Sequence, residues 1–285
     1  MGKGAKRMTE KRLKFGISTA CLYPMETEKA LETLGELGVR RTEIFINDIT
    51  ELEDPIAQRI LEIKERYQME VMAVHSCFCP MDHFLLFSDY ERRKKTGFLA
   101  YEALFSLAAR LSAPFVIFHG DRADRPTSPE KYAGILKELS DLAAKHGCLL
   151  LQENVFYTKC GNAEFLAAVQ QAAETPFPLV LDTKQARRSG VDPAAFLARF
   201  SGRICYLHYS ARDEKGDCRL PSKDSVQEDF FWQRVGEEEA IRCVTLEVYR
   251  DAFCLPKELC IACDRMQNVY QNATGKEILS WNQTV

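Results

Sequence analysis

Six residues able to carry protons or bind metals stand where apolar runs stop: Val74-His75, Phe118-His119, Gln152-Glu153, Leu181-Asp182, Leu207-His208 and Leu246-Glu247. A further carboxylate, Glu43, lies near the end of an earlier run. A lone carboxylate in such a place is usually a helix cap or an ion-pair partner. Six ionisable groups brought to one spot are a different matter, because each charge taken out of water without a partner is costly. A bound cation offsets that cost. Glu153, Asp182, His208 and Glu247 form a mixed oxygen and nitrogen donor set suited to one divalent cation: Mn²⁺, Mg²⁺, Co²⁺ or Zn²⁺. None of them is a thiolate, which disfavours a structural zinc site.

Such a constellation needs a scaffold that gathers strand ends. Short β-type runs alternate with helical patterns along the chain. The strand candidates are Phe15–Thr19, Thr42–Ile46, Val71–His75, Phe115–His119, Leu149–Glu153, Leu179–Asp182, Ile204–His208 and Val244–Glu247. Most are apolar on both faces, as buried parallel strands must be. Glu26–Leu37 repeats apolar residues at helical spacing and stops at Gly38. Ser128-Pro129 places a capping hydroxyl before a proline at the first helical position, Gly147 closes that helix, and Asp192-Pro193 repeats the start signal. Eight strands, seven crossovers and a C-terminal helix predict a single (β/α)₈ TIM barrel over 14–285, after a Lys/Arg-rich lead-in at 1–13 read as flexible. In that architecture the C-terminal strand ends build the active site, so the six residues meet. A doubly wound open sheet wants a Gly-rich turn after its first strand, which Gly16-Ile-Ser-Thr-Ala20 does not supply.

One barrel of about 250 residues accommodates a chain of 285. Apolar residues at 46% and charged residues at 28% allow an ordinary globular core. A net charge of -3 argues against nucleic-acid or anionic-membrane partners. The opening residues are basic and polar with no apolar stretch behind them, and no run approaches a membrane span, so a cytoplasmic enzyme is expected. Eleven cysteines are scattered and odd in number, and Cys148, Cys205 and Cys243 lie inside apolar runs as small hydrophobes. Reduced thiols fit that compartment. Cys260-x-x-Cys263 has no second pair to complete a zinc site and reads as packing, while Cys77-Phe78-Cys79 falls just past the third strand, near the mouth.

The runs Leu151-Gln-Glu153-Asn154, Val180-Leu-Asp182-Thr183, Tyr206-Leu-His208-Tyr-Ser210 and Thr245-Leu-Glu247-Val248, in this order and each ending a strand, resemble the xylose isomerase-like barrels. That superfamily comprises sugar isomerases and epimerases together with metal-dependent apurinic endonucleases. The resemblance spans residues 14–250 and is to the ketose 3-epimerase branch. It implies that Glu153, Asp182, His208 and Glu247 hold the metal against two neighbouring oxygens of a small carbohydrate: a ketose, sugar acid or sugar phosphate. Glu153 and Glu247 would then be catalytic, one removing a proton beside the carbonyl and the other returning it through an enediolate. His75, His119 and Glu43 would contact substrate. A homo-oligomer is also in keeping with the resemblance. Dehydratases of the inosose or dehydroshikimate type share the fold and form the first alternative. An apurinic endonuclease-like phosphodiesterase and a non-catalytic ligand-binding barrel are the others.

The chain departs from the family pattern in two loops. Members often show Asp-x-x-His after the sixth strand, whereas here Asp182 is followed by Thr183-Lys184-Gln185, which puts Gln185 among the candidate substrate contacts. Many also carry a histidine after the seventh strand, where this chain reads Arg219-Leu-Pro-Ser-Lys223. In the endonuclease branch those histidines help hold a third zinc, so their absence argues against a three-metal repair enzyme. A two-metal site using His75, His119 and a bridging Glu153 stays open. The same loops are basic, with Lys184, Arg187, Arg188, Arg212, Lys215, Arg219 and Lys223. A solvated, salt-bridged face explains that pattern, and so does an anionic substrate gripped by Arg212 or Arg219.

Overall fold

The computed structural model describes residues 12–76, 78–222 and 228–284. Eight parallel strands close a barrel: β1 (Leu13–Ser18), β2 (Arg41–Phe45), β3 (Glu70–His75), β4 (Phe115–Phe118), β5 (Leu149–Glu153), β6 (Leu179–Asp182), β7 (Ile204–Tyr209) and β8 (Cys243–Leu246). They pair in sequence order, and β8 pairs with β1 through Phe15 opposite Val244 to complete the ring. Among the described residues ten α-helices lie in the crossovers and after β8: α1 (Thr27–Glu36), α2 (Ile56–Arg66), α3 (Cys79–Leu85), α4 (Glu91–Arg110), α5 (Pro129–Lys145), α6 (Ala163–Ala172), α7 (Thr183–Arg188), α8 (Pro193–Arg199), α9 (Asp229–Glu237) and α10 (Lys257–Thr274). This is the expected (β/α)₈ barrel.

The capping signals act as chemistry dictates. Ser128 accepts from the backbone N–H of Lys131, and Asp192 accepts from those of Ala194 and Ala195. Gly38 and Gly147 take positive φ (86° and 76°) past the ends of α1 and α5, where a Cβ would be strained. Each strand lies within two residues of its expected bounds. The lead-in differs at its edge: Leu13 is buried, opens β1 and pairs with Ile278, while residues 1–11 lie outside the described residues.

Two apolar layers result. Met72, Phe115, Ile117, Leu151, Val180 and Tyr206 fill the barrel, and a larger cluster packs the strands' outer faces against the helices. The C-terminal segment packs on the end opposite the strand C-termini. Its Trp281 carbonyl accepts from the Arg40 and Arg41 N–H groups, and the buried Arg41 guanidinium donates to Glu70 at 2.8 Å and to the Ser280 carbonyl.

Gly16 has no room for a side chain. A Cβ there would stand 2.7 Å from the Arg41 carbonyl oxygen, which is backbone in the neighbouring strand and cannot give way. Gly16→Ala is expected to lower stability by about 1–3 kcal/mol through overpacking. Urea unfolding measures it, and an unchanged midpoint would show that the barrel bottom relaxes.

Candidate active site

His208 is the geometric centre of the mouth. It sits in β7 directly opposite Asp182 of β6 and Thr245 of β8 in the strand register, fully buried. Its Nδ1 lies 3.1 Å from Glu153 Oε1, 3.3 Å from Glu247 Oε2 and 3.9 Å from Asp182 Oδ2. The four residues expected to hold a cation are thus gathered about one nitrogen.

Glu43 stands behind the ring. Its Oε2 lies 2.8 Å from His208 Nε2, and Ser18 donates to its Oε1 at 3.1 Å. At 0% exposure it is placed to hold the imidazole in one orientation, where the sequence reading expected a substrate contact. Asp182 divides its work: Oδ1 caps α7 through the Gln185 N–H at 2.8 Å, while Oδ2 points to the cluster. Asn154 locks β5 to β6 here by exchanging two hydrogen bonds with the Asp182 backbone.

His75 and His119 lie on the other side of Glu153. Their Nε2 atoms are 3.2 and 2.9 Å from its Oε2, and 3.2 Å from each other. His75 is stacked on Phe45 at 4.4 Å between ring centres. Gln185 reaches back to the β5 loop, where its side-chain oxygen accepts from the Phe156 N–H at 3.4 Å. Arg212 is tied to Glu228 at 3.4 Å, and Arg219 to Asp213 and Asp217 at 3.1 and 3.5 Å. Both arginines lie on a small antiparallel ribbon, Ala211–Arg212 against Cys218–Arg219, that turns at Gly216. Phe78 is buried against Tyr101, and Cys77 lies outside the described residues.

One participant was not singled out from the sequence. Lys184 is buried, and its Nζ lies 2.9 Å from both Asp182 Oδ2 and Glu247 Oε1. The signal was present as a lysine two residues past a strand-end aspartate, but basic neighbours on α7 made it read as one more surface charge.

These charges set one another's protonation. Burial works against the charge on His208, but Glu43, Glu247 and Glu153 outweigh it and lift the imidazole well above its ordinary pKa. Burial would raise Glu153, yet His208 and the hydrogen bonds from His119, His208 and His75 hold it well below the usual carboxylate range. Glu247 is likewise drawn down to about 2 by Lys184 and His208, against burial. Asp182 goes the other way: burial raises it, Glu247 and Glu153 add to that, and Lys184 only partly offsets them.

The residues fit a divalent cation. Asp182 Oδ2 and Glu247 Oε2 are buried and make no hydrogen bond, despite the ammonium and imidazole nearby. Glu153, Asp182 and His208 offer ligand atoms within 4.8 Å of one another, as do Glu43, His75, His208 and Glu247, and also His75, His119 and Glu153. Formally, the four carboxylates Glu43, Glu153, Asp182 and Glu247 face two positive groups, Lys184 and a protonated His208. The cluster is therefore short of positive charge.

Two outcomes follow from this electrostatic arrangement. Lys184→Met should destabilise the metal-free protein by about 3–5 kcal/mol, because it strips the partner from two buried carboxylates. The same variant should bind Mn²⁺ more tightly, since no internal ammonium competes. Unchanged unfolding and unchanged affinity would remove this role for Lys184. Glu153 and Glu247 have folded pKa values below their unfolded ones, so their stabilisation is present above about pH 4.3 and is lost as pH falls through the folded values. Asp182 opposes this with a smaller gain on acidification. The metal-free protein should lose thermal stability between about pH 5 and pH 2, and Glu247→Gln should flatten that loss. An equally steep acid transition in the variant would contradict the assignment.

No protein-family model matches the sequence, nor does any curated protein. Solved structures do match. A D-tagatose 3-epimerase-like protein superposes with a TM-score of 0.75 at 16% identity, covering 92% of this chain and 98% of that one. A D-psicose 3-epimerase, crystallised in the presence of D-fructose, gives 0.70 at 15% identity over 93% and 100%. A probable 3-DHS dehydratase from Bacillus anthracis gives 0.60 at 16% identity over 90% and 98%. Others carry a xylose isomerase-like TIM barrel or a xylose isomerase domain by name. At such identities the likeness establishes architecture, and this chain has the (β/α)₈ barrel fold that these structures share.

Proposed function

We propose that the protein is a metal-dependent isomerase or epimerase that moves a proton beside a carbonyl of a small carbohydrate. The observation that supports this most is the convergence of Glu153, Asp182 and Glu247 on Nδ1 of one buried imidazole. A divalent cation held by these four residues would polarise the carbonyl and stabilise the charge that builds on its oxygen.

Glu153 and Glu247 are the carboxylates placed to handle the proton. β5 and β8 stand three strands apart around the ring, so the two side chains enter the mouth from different sides. One can take a proton from a carbon between them while the other returns it on the opposite face. His75 and His119 steady the far oxygen of Glu153 through their Nε2 atoms. Glu43 holds His208 in one orientation. Matched structures named as epimerases of tagatose, psicose and a 3-ketoglucoside favour this reading, and the dehydratase among them keeps water loss as its close variant.

One further observation favours a second reading. His75, His119 and Glu153 form a ligand group of their own, joined to the first through Glu153. Two cations bridged by one carboxylate are the arrangement that hydrolyses phosphate esters.

Elemental analysis of the protein purified without chelator and reconstituted with Mn²⁺ separates these readings. About one ion per chain, lost in both Glu153→Gln and His208→Ala, is the expected result. Two ions would turn the assignment to the hydrolase, and none would end the metal mechanism. With one ion, mass spectrometry of products settles the reaction, since epimers keep the substrate's mass and dehydration removes a water.

A further inference from the structure

We propose that the recess beside the barrel mouth binds the phosphate of a phosphorylated carbohydrate through Ser210, Arg188 and Lys215, an assignment of substrate class that rests on the carbohydrate reading above. The recess has a volume of about 900 Å³ and is reached from the cluster through Lys184, which lines both. Six cationic side chains line it, namely Lys184, Arg187, Arg188, Arg212, Lys215 and Arg219, against the three acids Asp192, Asp217 and Asp251.

Their pairing shows which cations remain available. Arg187 and Arg212 share a single carboxylate, Glu228, at 2.7 and 3.4 Å. Arg219 is taken up by Asp213 and Asp217. Of the lining acids, Asp192 caps α8 and Asp217 holds Arg219, which leaves Asp251. Arg188 is fixed without being neutralised: it donates to the Tyr249 hydroxyl at 2.7 Å and lies 3.9 Å above the Phe156 ring. Lys215 forms no ion pair within 4.0 Å among the described residues and feels Asp213 only at longer range. A guanidinium held rigid by neutral groups is a ready oxyanion contact.

Ser210 is an independent pointer. It lines the recess, is 1% exposed, and its hydroxyl has no partner beyond the neighbouring Cys218 thiol. The Cys218 thiol beside it is only a weak partner. A buried hydroxyl with spare capacity at the edge of a cationic recess suits a phosphate oxygen. Lys184 and Arg188 are one helical turn apart, so the anion would sit about 5–6 Å along α7 from the reacting end. That spacing suits a phosphate ester a few bonds from the carbonyl of a short sugar. The charge of such a group, about -1.5 to -2, matches the cations left over better than a carboxylate does.

The test uses inorganic phosphate as the probe, titrated calorimetrically into metal-free protein at low ionic strength, with acetate as the comparator. Saturable phosphate binding is expected, weakened at least about tenfold in Arg188→Ala/Lys215→Ala and less in Ser210→Ala, with acetate at least about tenfold weaker than phosphate. Both cations are exposed, so the double variant should unfold at the parent's temperature. Equal phosphate affinity in parent and double variant, or acetate bound as well as phosphate, overturns the proposal. Because no cation is present, failure here is separate from failure of the metal mechanism, which the ion count decides.

Discussion

A buried imidazole surrounded by carboxylates governs the mouth of this barrel. Nothing in an apolar interior would gather Glu43, Glu153, Asp182 and Glu247 unless positive charge were there to meet them. Protonated His208 and Lys184 meet part of the demand. The remainder makes the pocket a sink for further cations. The strand register enforces this tension, since Asp182 and His208 are direct neighbours and cannot move apart without breaking the ladder.

The fold was legible because its signals are local and repeated. Apolar runs of strand length, a hydroxyl before proline at 128–129 and glycines after α1 and α5 each fix one boundary, and their order leaves few topologies. The strand-end residues were legible for the same reason, because barrel geometry alone turns positions in sequence into a meeting point. Relations between side chains were not. The sequence shows Glu43 as one more polar strand residue, and only packing places it behind His208. Lys184 belongs by composition to a basic helix, yet it turns inward while Arg188, one turn on, faces the recess. The hydrogen bonds of Ser280 and Trp281 to the start of β2 join residues more than two hundred positions apart, which no local pattern encodes.

The barrel also separates durability from chemistry. Met72, Phe115, Leu151 and Tyr206 fill its interior below the site, and the Arg41–Glu70 pair lies at the bottom. The basic recess is built instead from α7, the ribbon around Gly216 and the segment after β8. Changes there would leave the strand ladder undisturbed, and loop variation of this kind is how one barrel fold supports many substrates.

Lys184 has a consequence for how such a protein comes into use. A centre made only of carboxylates would repel itself until its ion arrived, so assembly and loading would be one event. Here a side chain of the same polypeptide serves as a placeholder between Asp182 and Glu247. The barrel can reach its final shape in an ion-poor setting and wait there. On the proposed metal mechanism, activation would be an exchange of one positive charge for another, governed by ion supply rather than by folding.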